Sequence, residues 1–78
     1  IGKGVLEVTG DGEIVSYLHE NYAKLEFEVV GDKIYIFVDE PEVLLVGLSK
    51  KFRVEQTIVR SATLEDVFLK LTGRGLRE

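Results

Sequence analysis

Alternating apolar and polar positions predict a β-hairpin in the middle of the chain. From Leu25 to Val29, apolar residues alternate with glutamates at the period of two that a half-buried strand requires. Gly31-Asp32 is a two-residue turn in which glycine supplies the positive φ, and a second apolar strand runs from Lys33 to Val38. A loop of this length sets the register, and the expected pairs are Val30 with Lys33, Val29 with Ile34, Glu28 with Tyr35, Phe27 with Ile36, Glu26 with Phe37 and Leu25 with Val38. The aliphatic partners then share one face of the hairpin, and the glutamates share the other with Tyr35 and Phe37.

The same kind of pattern places three helices and two further strands around this hairpin. It predicts strands at residues 5–9 and 53–60 and helices at residues 13–22, 41–51 and 63–73. With right-handed connections, the order βαββαβα gives a four-stranded antiparallel sheet with two helices on one face. The expected fold is therefore α+β, a ferredoxin-like βαββαβ arrangement with an added C-terminal helix. Residues 1–4 are interpreted as a linker remnant, residues 5–73 as the domain and residues 74–78 as a tail.

The C-terminal helix has both of its ends marked in the sequence. Thr63 is a favourable N-cap, and Asp66 three residues later can complete a capping box. Gly73 stands where a left-handed C-cap is expected. One apolar stripe at helical spacing consists of Leu64, Val67, Phe68 and Leu71. We expect this stripe to dock against another surface.

Size and composition describe one small globular domain. The chain has 78 residues, of which 45% are hydrophobic and 31% are charged, and this is near the size at which a single core is just sufficient. A formal net charge of −4 is a poor match for phosphate backbones, so nucleic acid is not an expected partner. There is no cysteine for a disulfide or a thiolate metal site, and no apolar run approaches the roughly 20 residues that span a bilayer. Because the chain begins at Ile1 rather than methionine, we expect it to be a piece of a longer protein.

No residue pattern in the chain predicts catalysis. The phosphate-binding pattern G-x-x-x-x-G-K-[ST] does not occur, and Gly2-Lys3-Gly4 has neither its glycine spacing nor its strand–loop–helix context. His19 is the single histidine, and one imidazole makes neither a metal site nor an acid–base pair. Carboxylates at residues 39–42 and 65–66 are interpreted as acids that complement helix N-termini, although the first group could also hold a hard cation weakly. We therefore expect no enzymatic activity, metal or cofactor in this chain.

Apolar residues exceed the number that one face of the sheet can bury. Tyr35 and Phe37 lie opposite the aliphatic face, where they either pack beneath the stripe of the C-terminal helix or form a contact surface for a partner. The helix at residues 41–51 is apolar on several sides, so that part of it contacts either the last helix or another chain. In the last helix, Leu69 lies off the stripe, so it too contacts either another part of this domain or another chain. The candidate protein-contact residues are therefore Tyr35, Phe37, Leu45, Val46 and Leu69.

Residues 61–78, SATLEDVFLKLTGRGLRE, resemble the C-terminal end of ATP-binding-cassette (ABC) transporter ATPase subunits of the drug-efflux and ABC-2 exporter type. In that family a small accessory domain follows the ATPase domain and ends with a Leu-Glu-Asp-Val-Phe helix and a Thr-Gly-Arg tail. The matching positions here are Leu64, Glu65, Asp66, Val67, Phe68, Thr72, Gly73 and Arg74. Ala62 departs from the family, whose members often have proline there, but Thr63 keeps the helix cap.

The resemblance implies a cytoplasmic accessory or regulatory domain that is peripheral to the membrane through a transporter complex. Its implied partners are its own upstream nucleotide-binding domain, a second ATPase protomer and a membrane permease subunit, and a homodimer of the piece is also open. The parent protein would bind ATP and Mg²⁺, while this chain would contribute to assembly or regulation of the ATPase dimer without catalysis. The alternative is a small-molecule-sensing regulatory module of ferredoxin-like fold, which would need a pocket with convergent polar groups.

Overall fold

The computed structural model describes residues 4–10 and 12–72, and these contain four strands and three helices in the predicted order. The elements are β1 (Gly4–Thr9), α1 (Gly12–Asn21), β2 (Glu26–Val30), β3 (Lys33–Val38), α2 (Pro41–Ser49), β4 (Glu55–Ser61) and α3 (Leu64–Thr72). All strand pairs are antiparallel, so the predicted α+β class with one antiparallel sheet is confirmed. Residues 1–3 of the predicted linker at residues 1–4, the C-cap Gly73 and the tail at residues 74–78 lie outside the described residues, and Gly4, the last residue of that linker, is instead the first residue of β1.

The strands lie in the order β2-β3-β1-β4. β1 is therefore central and pairs with both β3 and β4, which is compatible with the ferredoxin-like arrangement. The hairpin register agrees with the prediction, and the observed pairs are Glu26 with Phe37, Phe27 with Ile36, Glu28 with Tyr35, Val29 with Ile34 and Val30 with Lys33. Strand alternation and turn length were sufficient to predict this pairing because both are local properties of the sequence.

Glycine is needed at two positions, in one case for the backbone conformation and in the other for close packing. Gly31 in the hairpin turn has a φ of +63°, a left-handed conformation that side chains with a Cβ atom rarely adopt. Gly4 allows α2 to begin close to β1, because a Cβ atom at this position would lie 2.8 Å from Cδ of Pro41. Pro41 itself is buried at the start of α2, where its missing N–H removes no helical hydrogen bond.

The main hydrophobic core lies between one face of the sheet and the helices α1 and α2. Its buried members are Leu6, Val8, Ile14, Leu18, Ile34, Ile36, Leu44 and Leu48. At its margin the ring of Tyr17 meets that of Phe52 edge-on, with 5.3 Å between the ring centroids. This layer occupies one face of the sheet and leaves the other face for α3.

A bulge interrupts β4 where the sequence alternation is blurred. Between the pairs Glu7–Ile58 and Thr9–Glu55 the register shifts, so that two residues of β4 stand opposite one residue of β1. Gln56, at the bulge, has a φ of 51°, and its side-chain oxygen accepts a hydrogen bond of 3.3 Å from the Thr9 hydroxyl. A bulged edge strand is a poor template for pairing with another chain.

Candidate functional site

The N-terminus of α3 is closed by the predicted capping box. The Thr63 N–H donates to Asp66 Oδ2 at 2.6 Å, and the Asp66 N–H donates to the Thr63 hydroxyl at 3.4 Å. The Thr63 hydroxyl donates in turn to Asp66 Oδ2 at 3.0 Å. Each residue therefore satisfies a backbone N–H of the other, as the spacing predicted.

Asp66 also forms an ion pair that connects α3 to the sheet. Arg60 in β4 donates from Nη1 to Asp66 Oδ2 at 2.5 Å and from Nη2 to Asp66 Oδ1 at 2.6 Å, so the pair is bidentate. Arg60 Nε donates to Glu7 Oε2 in β1 at 2.6 Å. We name the group of Glu7, Arg60, Thr63 and Asp66 the polar clamp. It joins β1, β4 and α3 through hydrogen bonds between side chains.

The polar clamp keeps a buried carboxylate ionised. Asp66 is 2% exposed, and burial alone would raise the pKa of its carboxyl. The hydrogen bonds from Arg60, assisted by those from Thr63, instead lower the pKa of Asp66 below its ordinary value of 3.8. The same contacts, first with Asp66 and then with Glu7, raise the pKa of the Arg60 guanidinium. Both groups are therefore charged at neutral pH.

The face that α3 turns to the sheet is not its apolar stripe. Asp66 and Leu69 are its buried residues, whereas Leu64 is 77% exposed and Leu71 is 78% exposed. Phe68, at 38% exposure, lies on the same outward side. We name Leu64, Phe68 and Leu71 the outer stripe. Val67, the fourth residue of the predicted stripe, is partly buried. Of the two alternatives for Tyr35 and Phe37, the structure has α3 packed over them, but through Leu69 rather than through the stripe.

A second, smaller core lies between α3 and the sheet. Its buried members are Val5, Phe37 and Leu69, and Tyr35 and Ala62 pack partly buried against them. Val5 and Phe37 are register partners in β1 and β3, so they lie on one face and form a flat seat for Leu69. Of the predicted contact residues, Phe37 and Leu69 are therefore interior residues of the domain, and Tyr35 is half-buried.

The predicted contact residues of α2 lie on the other side of the molecule. Leu45 is partly buried against the main core, and Val46 is 57% exposed. Because α2 and α3 pack on opposite faces of the sheet, Leu45 and Val46 do not cover the last helix. Only Val46 of this pair presents substantial apolar area to solvent.

A second polar contact lies at the far end of α3. Lys70 forms an ion pair with Glu26 of β2, and this contact lowers the pKa of the Glu26 carboxyl. In the last turn, the Thr72 hydroxyl donates to the Phe68 carbonyl at 2.8 Å. α3 therefore spans the sheet face from β4, where the polar clamp lies, to β2.

A groove of about 450 Å³ lies between α3 and the uncovered part of the same sheet face. It is lined by Glu7, Val30, Lys33, Tyr35, Arg60, Glu65, Asp66 and Leu69. The guanidinium in its wall is already paired with Glu7 and Asp66. The charge of this guanidinium is thus shared with two carboxylates of the domain itself.

His19, the single histidine of the sequence, lies beside an aromatic ring. The ring of His19 lies edge-on to that of Phe27, with 5.0 Å between centroids. Within the described part of the chain, no three histidine or carboxylate side chains are arranged to hold a metal ion such as Mg²⁺. Across residues 4–10 and 12–72, no helix has the combined length and apolar character needed to cross a membrane.

Comparison with known proteins identifies the family of this fold. The family model described as "Nodulation factor export protein NodI, C-terminal domain" matches residues 13–73. The chain belongs to this family. The resemblance to the C-terminal domain of exporter ATP-binding subunits is thereby confirmed. The region matched by the NodI C-terminal domain family includes Arg60, Thr63, Asp66 and the outer stripe, whereas Glu7 precedes it.

Curated relatives extend the match over the whole chain. Proteins named "Nod factor export ATP-binding protein I" are 41% identical in Cupriavidus metallidurans, 40% in Cupriavidus pinatubonensis and 37% in Rhizobium meliloti, each over 100% of this chain. The chain spans only about a quarter of the length of these relatives, at 25%, 24% and 23% respectively. No solved structure matches the chain.

Sequence reasoning found the capping box but missed two of the four clamp residues. Glu7 and Arg60 are 53 residues apart, and each is a single charge in a strand of mixed polarity. Their proximity follows only once β1 and β4 are paired in the register that places Val5 opposite Arg60. The sequence signal for the clamp is the position of Asp66, which lies off the apolar stripe but within the Leu64–Phe68 motif that carries the family resemblance.

Proposed function

We propose that this domain is a non-catalytic accessory part of an exporter's ATP-binding subunit, and that it promotes the pairing of two such subunits. Membership of the NodI C-terminal domain family supports the placement in an export system. In the proposed setting the domain lies on the cytoplasmic side and reaches the membrane through the transporter complex. ATP and Mg²⁺ would be held by a part of the subunit outside this chain, which spans about a quarter of the relatives' length.

The outer stripe is the observation that carries this proposal. Leu64, Phe68 and Leu71 form a contiguous apolar strip on a helix whose other face is already seated on the sheet. Large exposed apolar side chains that cluster, rather than scatter, are typical of protein contact surfaces. We assign the strip to the second copy of the ATP-binding subunit, because the ABC resemblance implies ATPase domains that act as dimers.

The absence of catalysis in this part of the subunit is supported by its chemistry. The sequence has no phosphate-binding loop pattern. The groove beside α3 pairs its guanidinium internally instead of offering it to a substrate. The domain is thus suited to positioning the subunit rather than to performing a reaction.

The proposal is tested in the full-length subunit by replacing the outer stripe. We expect Leu64→Ser, Phe68→Ser and Leu71→Ser together to weaken subunit dimerisation at least about tenfold, as loss of a central apolar contact does. Dimerisation is measured by sedimentation velocity with and without ATP, and export is measured in the same variants. Val43→Ser is the control, since Val43 is an apolar residue that is 65% exposed on a helix of the opposite face. Unchanged dimerisation in a folded triple variant would contradict the proposal.

The small-molecule-sensing alternative depends on the groove beside α3. Its volume could accept a small ligand, but Glu7, Arg60 and Asp66 already satisfy one another in its wall. A thermal-shift screen with small metabolites discriminates between the two functions, because a ligand that binds the folded state raises the melting temperature. Reproducible stabilisation that is lost in Tyr35→Ala would favour the sensing module.

A further inference from the structure

α3 is oriented against its own amphipathic pattern. A surface helix normally buries its apolar stripe and exposes its polar side. Here one leucine, Leu69, and one aspartate, Asp66, face the sheet, while Leu64, Phe68 and Leu71 face solvent. At about 100° per residue the centre of the outer stripe lies roughly half a turn of the helix from Asp66 and Leu69. Hydrophobic burial alone would therefore favour the opposite face of α3 toward the sheet.

We propose that the polar clamp is an orientation lock that holds α3 with its apolar stripe outward. The bidentate pair between Arg60 and Asp66 lies beneath the helix, and the capping contacts with Thr63 fix the first turn above it. The buried Asp66 carboxylate cannot be turned to another face without giving up these bonds and leaving the half-buried guanidinium of Arg60 partly unpaired. Arg60 and Asp66 are thus positioning residues, whatever the outer stripe binds.

The seat beneath α3 could accept either face of the helix. Val5, Phe37 and Tyr35 present an apolar surface to Leu69, and Ile58, which is exposed, lies on the same sheet face as its register partner Glu7. An apolar seat of this kind offers the outer stripe more burial than Leu69 alone provides. Loss of the clamp is therefore expected to turn the stripe toward the sheet and to reduce its exposure.

The absence of cysteine in the chain makes this rotation measurable. Two single-cysteine variants report on the two faces of α3: Leu71→Cys on the outward face, and Leu69→Cys on the face toward the sheet. Each cysteine variant of the 78-residue chain is labelled with a thiol reagent. Its labelling rate is compared with that of the same cysteine variant that also carries Asp66→Asn. Asp66→Asn keeps the size of the side chain but removes the charge that pairs with Arg60.

We expect Asp66→Asn to slow labelling at position 71 and to accelerate labelling at position 69, each by about tenfold. Glu26→Gln is the matched control, because it removes the ion pair with Lys70 at the far end of the same helix and should leave both rates unchanged. Circular dichroism and a cooperative melt establish that each variant is folded. If Asp66→Asn lacks a cooperative melt, Arg60→Lys replaces it, since lysine keeps the charge but loses the bidentate geometry.

Two results would overturn the orientation lock. Unchanged labelling rates at positions 69 and 71 in a folded clamp variant would show that the short connection at residues 61–63 sets the rotation of α3 about its own axis. Faster labelling at both positions would show that the clamp attaches the helix without orienting it. Neither result depends on whether the outer stripe binds a second subunit, so the lock and the proposed function can fail separately.

Discussion

Arg60 and Asp66 form two parallel hydrogen bonds, with 2.5 Å between Nη1 and Oδ2 and 2.6 Å between Nη2 and Oδ1. The carboxylate that closes the first turn of α3 is thus also the group that fastens the helix to β4. A local capping interaction and a tertiary ion pair share one side chain, so a change at this position acts on both. The stability of α3 and its placement on the sheet are therefore coupled.

Removal of the Asp66 side chain should strongly destabilise the domain. We expect Asp66→Ala to lower the free energy of unfolding by about 2–4 kcal/mol, because it leaves a half-buried guanidinium with one carboxylate partner and removes the acceptor of the Thr63 N–H. Urea denaturation followed by circular dichroism measures the change. Glu65→Ala is the control, since Glu65 is an exposed acid in the same helical turn, and its loss should cost less than about 0.5 kcal/mol. Equal losses in the two variants would show that helix electrostatics, not the clamp, dominates.

The Thr63 hydroxyl should contribute as a cap and not through its methyl group. It accepts from the Asp66 N–H and donates to the Asp66 carboxylate. We expect Thr63→Ala to cost about 1 kcal/mol and Thr63→Ser to be nearly neutral, as for other helix N-caps. Thermal unfolding of the two variants gives the comparison. A loss in Thr63→Ser as large as that in Thr63→Ala would assign the effect to packing.

Two leucines of α3 that are two residues apart should respond very differently to truncation. Leu69 is buried against Phe37 and Val5, so Leu69→Ala should cost about 2–4 kcal/mol through lost burial and a residual cavity. Leu71 is largely exposed, and Leu71→Ala should change stability by less than about 0.5 kcal/mol. Both are leucine-to-alanine changes in one helix, so helix propensity is matched. The reverse ranking would mean that the stripe, and not Leu69, is seated on the sheet in solution.

The contrast between the hairpin and α3 shows what the sequence could and could not predict. The hairpin register follows from alternation and a two-residue turn, which are written within residues 25–38. Helical spacing in α3 correctly grouped the apolar residues, but spacing does not say which side of a helix faces its own sheet. The side of α3 that faces the sheet depends on Arg60 and Glu7. These two residues are 53 positions apart in the sequence and come together only in the folded sheet. The capping box was predictable because both of its members lie in one turn.

The loss of stability in acid should depend measurably on Asp66. Its folded-state pKa lies below the ordinary value of 3.8, mainly because Arg60 hydrogen-bonds the charged form. The stabilisation is therefore fully present above that value and is lost as the pH falls through the lower, folded-state pKa. We expect the free energy of unfolding, measured in urea from about pH 5 to about pH 2, to fall less steeply in Asp66→Asn than in the natural sequence.

The comparison for this prediction is Glu26→Gln. Lys70 lowers the pKa of the Glu26 carboxyl, as Arg60 does that of Asp66, but the effect of Glu26→Gln should be smaller because Glu26 is exposed to solvent. If the slope in Asp66→Asn equals that of the natural sequence, the Asp66 carboxylate does not stabilise the folded state through its charge, and the bidentate pair with Arg60 contributes no net electrostatic stability.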